Sequence, residues 1–263
     1  MARILSIANQ KGGVGKTTTS INLAASLAAY NKRILLLDLD PQGNTTMGSG
    51  IDKKQCKSSL YDVLTEKKPI EDCILTSETG KYHLLPSNDD LVAAEVELIQ
   101  EIGRETRLRF ALQRIVDNYD FIIIDCPPSL NMLTVNALVA SDGVLIPMQC
   151  EYYALEGLSA LNNTIAQIAK LINPKLKIEG ILRTMYDPRS SLTHAVSGQL
   201  RKYFGDLVYR VSIPRNVRLA EAPSHGKPAL SYDKNSKGAL AYLALAGEVL
   251  RQQQKMTKQT GGS

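Results

Sequence analysis

The stretch Asn9-Gln10-Lys11-Gly12-Gly13-Val14-Gly15-Lys16-Thr17-Thr18-Thr19 constrains the fold more than any other part of the chain. Before it, Ile4–Ala8 is a short apolar run with the look of a buried strand. After it, Ile21, Leu23, Ala24, Leu27 and Ala28 recur with helical spacing, so a helix is expected over Lys16–Tyr30. A glycine-rich turn between a strand and a helix N-terminus gathers backbone N–H groups around an anion, and the helix dipole adds positive potential there. Lys16 is placed to reach the β- and γ-phosphates of a nucleotide, and the Thr17 hydroxyl to ligate Mg2+. The general pattern G-x-x-x-x-G-K-[ST] would put its first glycine at position 10. This chain has Gln10 there, and a second lysine, Lys11, ahead of Gly12 and Gly13. The loop is therefore the deviant form, KGGxGKT.

Two more segments bear chemistry. Leu36-Leu37-Asp38-Leu39-Asp40-Pro41-Gln42-Gly43-Asn44 ends a strand, and two-residue alternation points Asp38 and Asp40 to the same side. Asp38 also reads as a strand-end acid capping a turn. Asp40 is the better placed to orient a water molecule. Phe121-Ile122-Ile123-Ile124-Asp125 is a buried-strand pattern that delivers one carboxylate to its tip, where a P-loop enzyme keeps a magnesium-associated acid. The Pro127–Pro128 pair that follows stiffens a loop able to sense the γ-phosphate.

Further strands are expected over Arg33–Leu39, Tyr82–Leu85, Gly143–Met148, Ile178–Met185 and Leu207–Ile213. Helices are expected over Asp90–Glu101, Glu105–Asn118, Met132–Ala140, Leu155–Leu171, Leu192–Phe204 and Ser236–Gln253. Several of these strands are continuously apolar, and their alternation with helices implies an α/β fold with a doubly wound, mostly parallel twisted sheet flanked by helices. The expectation is a single ATPase domain over residues 1–254, followed by a flexible tail over 255–263. The cysteines (56, 73, 126 and 150) show neither a C-x-x-C pair nor Cys/His ligand spacing, and read as packing residues of a chain in a reducing compartment. No apolar run is long enough to span a bilayer. The net charge of +5 is modest, but ten Lys and Arg stand against three acids between Lys170 and Arg218. That lobe is either an ordinary solvated face or a footprint for a phosphate backbone.

Together KGGVGKTTT, DLDPQGN and IDCPPSL resemble the three signatures of the ParA/Soj partitioning ATPases, within the deviant P-loop group that includes MinD. Ile213–Gly226 (IPRNVRLAEAPSHG) and Tyr186-Asp187-Pro188-Arg189 also resemble the Soj pattern, and the likeness runs from about Arg3 to Leu250. It is of the short chromosomal type, without the N-terminal DNA-binding region of longer plasmid ParA proteins. The resemblance implies an ATP-dependent sandwich homodimer in which Lys11 reaches the other subunit's phosphates. It implies catalysis by Lys11, Lys16 and Asp40, and nucleotide contacts from Lys11, Gly12, Gly13, Val14, Gly15, Lys16, Thr17 and Thr18, with Pro214 and Asn216 at the adenine. Mg2+ would be held by Thr17, Asp40 and Asp125. Arg189 and Arg218 would bind double-stranded DNA of the nucleoid without sequence preference, and a ParB-type centromere-binding protein would stimulate hydrolysis. Read alone, Arg189 is also an ordinary loop charge, and Arg218 an ion-pair partner of Glu221. A MinD-like membrane-cycling ATPase shares the first three motifs. Beyond Leu250, however, the sequence RQQQKMTKQTGGS holds only Met256 as an apolar residue and cannot bury enough surface in lipid. A cytoplasmic, nucleoid-associated protein is expected.

Overall fold

A computed structural model describes residues 1–152 and 154–260. Its centre is one eight-stranded sheet: β1 (Arg3–Ile7), β2 (Ile34–Asp38), β3 (Leu75–Ser77), β4 (Tyr82–Leu85), β5 (Phe121–Asp125), β6 (Gly143–Gln149), β7 (Lys177–Tyr186) and β8 (Val208–Pro214). The strand order is β3-β4-β2-β5-β1-β6-β7-β8. Every neighbouring pair is parallel except β3–β4. The expected mostly parallel sheet is present. The short antiparallel β3 is an addition to the strands expected from sequence.

The helices are α1 (Lys16–Ala29), α2 (Asn44–Gly48), α3 (Leu60–Leu64), α4 (Leu91–Ile99), α5 (Arg107–Gln113), α6 (Met132–Ala140), α7 (Ala154–Leu171), α8 (Ser191–Phe204), α9 (Val217–Glu221), α10 (Ala229–Tyr232) and α11 (Lys237–Thr260). The strands β2 and β5 are buried at every residue, because both sheet faces are covered. Alternate side chains serve two cores. Leu35, Leu37, Ile122 and Ile124 pack with α3–α8, while Ile34, Leu36, Phe121 and Ile123 pack with α1 and α11. In α7 the expected apolar stripe is the inner face, with Leu158, Leu161, Ile165 and Ile168 buried. The segment expected as one helix over Glu105–Asn118 is instead α5 between two short 3-10 turns, Arg104–Thr106 and Val116–Asn118. Helix α11 runs on to Thr260, past the Gln253 end expected from sequence. Residues 261–263 of the expected tail lie outside the described residues.

Strand β1 lies at the middle of the sheet. The chain leaves it toward β2 on one side and later crosses it from β5 to β6 on the other. This reversal opens a crevice above the carboxyl ends of the strands, and the glycine-rich loop fills its floor.

Candidate nucleotide-binding site

The loop between β1 and α1 turns through Gly13 at φ 72° and Gly15 at φ 88°, left-handed conformations that a Cβ would disfavour. Gly15 caps α1 with no side-chain acceptor, so the first-turn amides face the crevice without a side-chain partner. The loop is braced from below. Asn9 accepts the Lys11 N–H at 3.0 Å and donates to the Pro147 carbonyl at 2.8 Å, and the Thr184 hydroxyl donates to the Val14 carbonyl at 2.8 Å. Lys16 is directed into its own loop, its Nζ 3.3 Å from the Lys11 carbonyl and only 8% of the residue exposed. Burial pushes its pKa down, and the nearby charges of Asp125, Cys126 and Asp40 oppose that shift. A buried ammonium held beside unpartnered amides makes a ready anion seat.

Asp125 is fully buried at the tip of β5, and three hydroxyls donate to it: Thr17 at 2.8 Å, Ser20 at 2.7 Å and Thr45 at 2.7 Å. Burial raises its pKa and these three bonds oppose the rise. One carboxylate thus ties α1 to α2. Beside it in register, Asp38 accepts the backbone N–H and the hydroxyl of Thr46, each at 2.7 Å. Asp38 is fully buried and fixes α2, which fits the turn-capping reading. Strand β2 ends at Asp38, so the alternation expected to align Asp38 with Asp40 stops there. Asp40 is partly exposed, accepts the Gln42 N–H at 3.0 Å and lies close enough to Lys16 and Asp125 for its charge to act on both.

Burial, reinforced by the Asp125 charge, pushes the Asp38 carboxyl up to about 7. An acid whose folded pKa exceeds its unfolded value binds its proton more tightly in the native state. Stability is therefore lost as pH rises from the unfolded carboxylate range to about 7, at up to roughly 1.4 kcal/mol per pH unit. Asp38→Asn removes that titration. Thermal unfolding from pH 4 to pH 8 is expected to show the variant gaining on the parent as pH rises. A constant difference across the range would remove Asp38 as the titrating group.

One end of the crevice is lined by Gly15, Thr18, Thr184, Met185, Pro214, Asn216 and Leu219 among others. Asn216 begins α9 but makes no capping hydrogen bond, and its Oδ1 is buried without a partner among the described residues. An acceptor left this way fits an amino group of a bound base. Met185, at the same wall, holds a positive φ of 47°, a strained backbone of the sort found at ligand clamps. For a divalent cation, no group of three or more His, Cys, Asp or Glu is assembled among the described residues. The donor set present, one threonine hydroxyl and the carboxylates of Asp40 and Asp125, suits a hard ion such as Mg2+ that takes its remaining ligands from phosphate and water.

Lys11 behaves differently from Lys16. It leaves the loop outward and pairs with Glu151, with both side chains about half exposed (46% and 50%). The two arginines of the basic lobe stand near the ends of β7 and β8, which are joined in register at Tyr186 and Pro214. Both are ion-paired within the chain. Arg189 makes a two-pronged pair with Asp187, each bond 3.0 Å, and Arg218 pairs with Glu221 at 2.8 Å and Asp233 at 3.3 Å. The structure thus gathers Lys16, Thr17, Asp40 and Asp125 around the loop, places Pro214 and Asn216 at its far wall, and turns Lys11 away. Sequence reasoning missed Ser20, Thr45, Thr46, Glu151 and Met185. Only the hydroxyl-rich runs Thr17–Ser20 and Thr45–Thr46 signalled any of them.

The family model described as an AAA domain matches residues 2–178. The chain is 54% identical over 249 residues to the sporulation initiation inhibitor protein Soj of Bacillus subtilis, covering 95% of this chain and 98% of Soj. It is 52% identical over 251 residues to the chromosome partitioning protein ParA of Myxococcus xanthus, covering 95% of this chain and 89% of ParA. Among solved structures, cobyrinic acid a,c-diamide synthase from Mycobacterium smegmatis with bound ADP and magnesium superposes with a TM-score of 0.85 at 37% identity, over 97% of this chain and 96% of that one.

Proposed function

The chain belongs to the ParA/Soj family of chromosome-partitioning ATPases, and on that premise we propose that it is an ATP-driven partitioning switch. ATP binding joins two copies face to face, the joined pair holds double-stranded DNA of any sequence, and slow Mg2+-dependent hydrolysis ends both states. The observation that carries this reading is the divergence of the two loop lysines. Lys16 points into its own loop, while Lys11 projects to the surface toward Glu151. A lysine so turned serves phosphates approaching from outside, as those of a facing copy do. Its release from Glu151 is cheap, because a half-exposed ion pair contributes only about 0–1 kcal/mol.

In this mechanism the first-turn amides and Lys16 hold the phosphates, Asn216 orients the base, and Thr17 with Asp125 and Asp40 would hold Mg2+. When bound, Mg2+ would supply positive charge that offsets the charge of the phosphates. Thr17 would offer its hydroxyl to that ion, and Ser20 and Thr45 hold the Asp125 carboxylate in place. Asp40 orients the attacking water. Lys11 of the facing copy neutralises charge that grows on the transferring phosphoryl group, as an arginine finger does. A ParB-type centromere-binding protein is proposed as the stimulator of that step. Among the described residues no helix is long and apolar enough to cross a membrane, and DNA of the nucleoid is proposed as the surface the protein works on from the cytoplasm.

Arg189 and Arg218 would exchange their exposed acid partners for DNA phosphates, and exposed pairs of this strength permit the exchange. Filter binding of unrelated duplexes with ATP, with ADP and without nucleotide tests the reading. Retention is expected with ATP alone. The double variant Arg189→Ala, Arg218→Ala should weaken binding equally for all duplexes and flatten the log–log salt slope by about 0.9 for each phosphate no longer neutralised. Equal DNA retention in all three nucleotide states would overturn the switch. An unchanged salt slope in the double variant would reassign the basic lobe.

A further inference from the structure

The outward lysine of the glycine loop is held at two points by one strand. Asn9 accepts the Lys11 N–H at 3.0 Å and donates to the Pro147 carbonyl of β6 at 2.8 Å, which fixes the backbone from which the side chain leaves. Two residues on, β6 ends at Gln149, and the Glu151 N–H donates back to the Gln149 carbonyl at 3.0 Å. The chain therefore reverses through Cys150 in a three-residue turn, and Cys150, buried in the core, anchors it. That turn sets the Glu151 carboxylate on Nζ of Lys11, 140 residues earlier in the chain. Among the described residues neither side chain makes a second ion pair. Lys16 meets a carbonyl of its own loop, whereas Lys11 is held by an acid from another element.

A surface ion pair contributes little to folding. This one competes with the use proposed for Lys11, since an ammonium held on its own chain's carboxylate is withdrawn from the phosphates of a facing copy. Once Lys11 has gone across, the Glu151 carboxylate is left without that cation beside a crevice that would hold phosphates, where like charges repel. Both effects favour the separate chain. We propose that Glu151 is a positioning residue: it holds Lys11 back on its own chain and so raises the protein concentration at which two copies join in ATP. The consequence for joining rests on the switch reading above; the hold on Lys11 does not. An exposed pair shifts an equilibrium by at most about fivefold, and two copies each release one pair, so association shifts by up to about 25-fold. Salt grades the hold, because half-exposed charges are screened over roughly 10 Å at about 0.1 M.

Two measurements on the full chain test this. Zero-length carbodiimide coupling joins an amine to a carboxylate only where the two are in contact, and peptide mapping by mass spectrometry then identifies the pair. A Lys11–Glu151 amide is expected without nucleotide, and it should be lost when ATP and Mg2+ join the copies. Light scattering in ATP and Mg2+ then compares the parent with Glu151→Gln and Glu151→Asp at about 50 and about 500 mM salt. Glu151→Gln should associate at a several-fold lower protein concentration than the parent at the lower salt, and the gap should close at the higher. Glu151→Asp, which keeps the charge, should behave as the parent does. Absence of the amide without nucleotide, or a yield unchanged by ATP, would overturn the hold. A gap that salt leaves untouched would assign the effect to packing, and weaker association of Glu151→Gln would make Glu151 a contact of the joined state; either result overturns the proposal. A parent that never associates in ATP strikes the switch reading, while the coupling yield without nucleotide decides the hold by itself.

Discussion

Lys16→Ala is expected to lower nucleotide affinity by about 100- to 1000-fold, which is roughly 3–4 kcal/mol of binding free energy. Charge-assisted hydrogen bonds contribute about 1.5–3 kcal/mol each, and Lys16 would supply more than one to neighbouring phosphates. No other cation points into the loop among the described residues, since Lys11 is turned to Glu151. The same substitution removes an ammonium whose burial is unfavourable without an anion, so the nucleotide-free protein should unfold at the parent's temperature or above it. Isothermal titration with ATP and Mg2+, paired with a thermal scan of the apo protein, separates lost binding from lost folding. Micromolar or tighter ATP affinity in the variant would remove the loop as the nucleotide site.

Asp40→Ala is expected to separate binding from hydrolysis. Loss of a group that orients or deprotonates the attacking water typically lowers kcat by about 10²–10⁴-fold. The turn itself should survive, because its closing bond runs between backbone atoms, the Gly43 N–H to the Asp40 carbonyl at 2.9 Å. Only the side-chain bond to the Gln42 N–H is lost, a contribution of about 1 kcal/mol. ATP affinity should stay near the parent's, and light scattering should show a dimer that persists in ATP while phosphate release falls to background. Parent-like turnover would move the water-orienting role to another residue.

The sheet was legible wherever burial left a mark. Strands such as Phe121–Asp125 are apolar up to the acid at their tip because helices cover both faces, and a continuous apolar run bounded by turns has few other readings. Leu75–Ser77 carried no such mark, since two of its three residues are exposed at the sheet edge. The short helix α2 was equally silent, because it is held by bonds to Asp38 and not by periodicity. Helix α11 outran its expected end because Arg251–Thr260 contains no glycine or proline to stop it. The loop residues were read directly, being contiguous. The Asp125 clamp was not, because Ser20 and Thr45 lie 105 and 80 residues from it in sequence and nothing local announces their convergence. The pairing of Arg218 with Glu221 was one of two readings open from sequence, and the structure adds Asp233, which no local pattern places there.

The central position of β1 has a consequence for how the protein comes into being. Its hydrogen-bonded neighbours are β5 and β6, and the first side-chain bond that closes the site, Thr17 to Asp125, spans 108 residues. At ribosomal speeds of about 5–20 residues per second, the glycine loop waits roughly 5–20 s in the growing chain before its acid partner is synthesised. During that wait the loop has the right residues and no platform beneath them. Nucleotide capture therefore belongs to late assembly, when the strand made first is enclosed by strands made afterwards, and a half-made chain should be silent toward ATP.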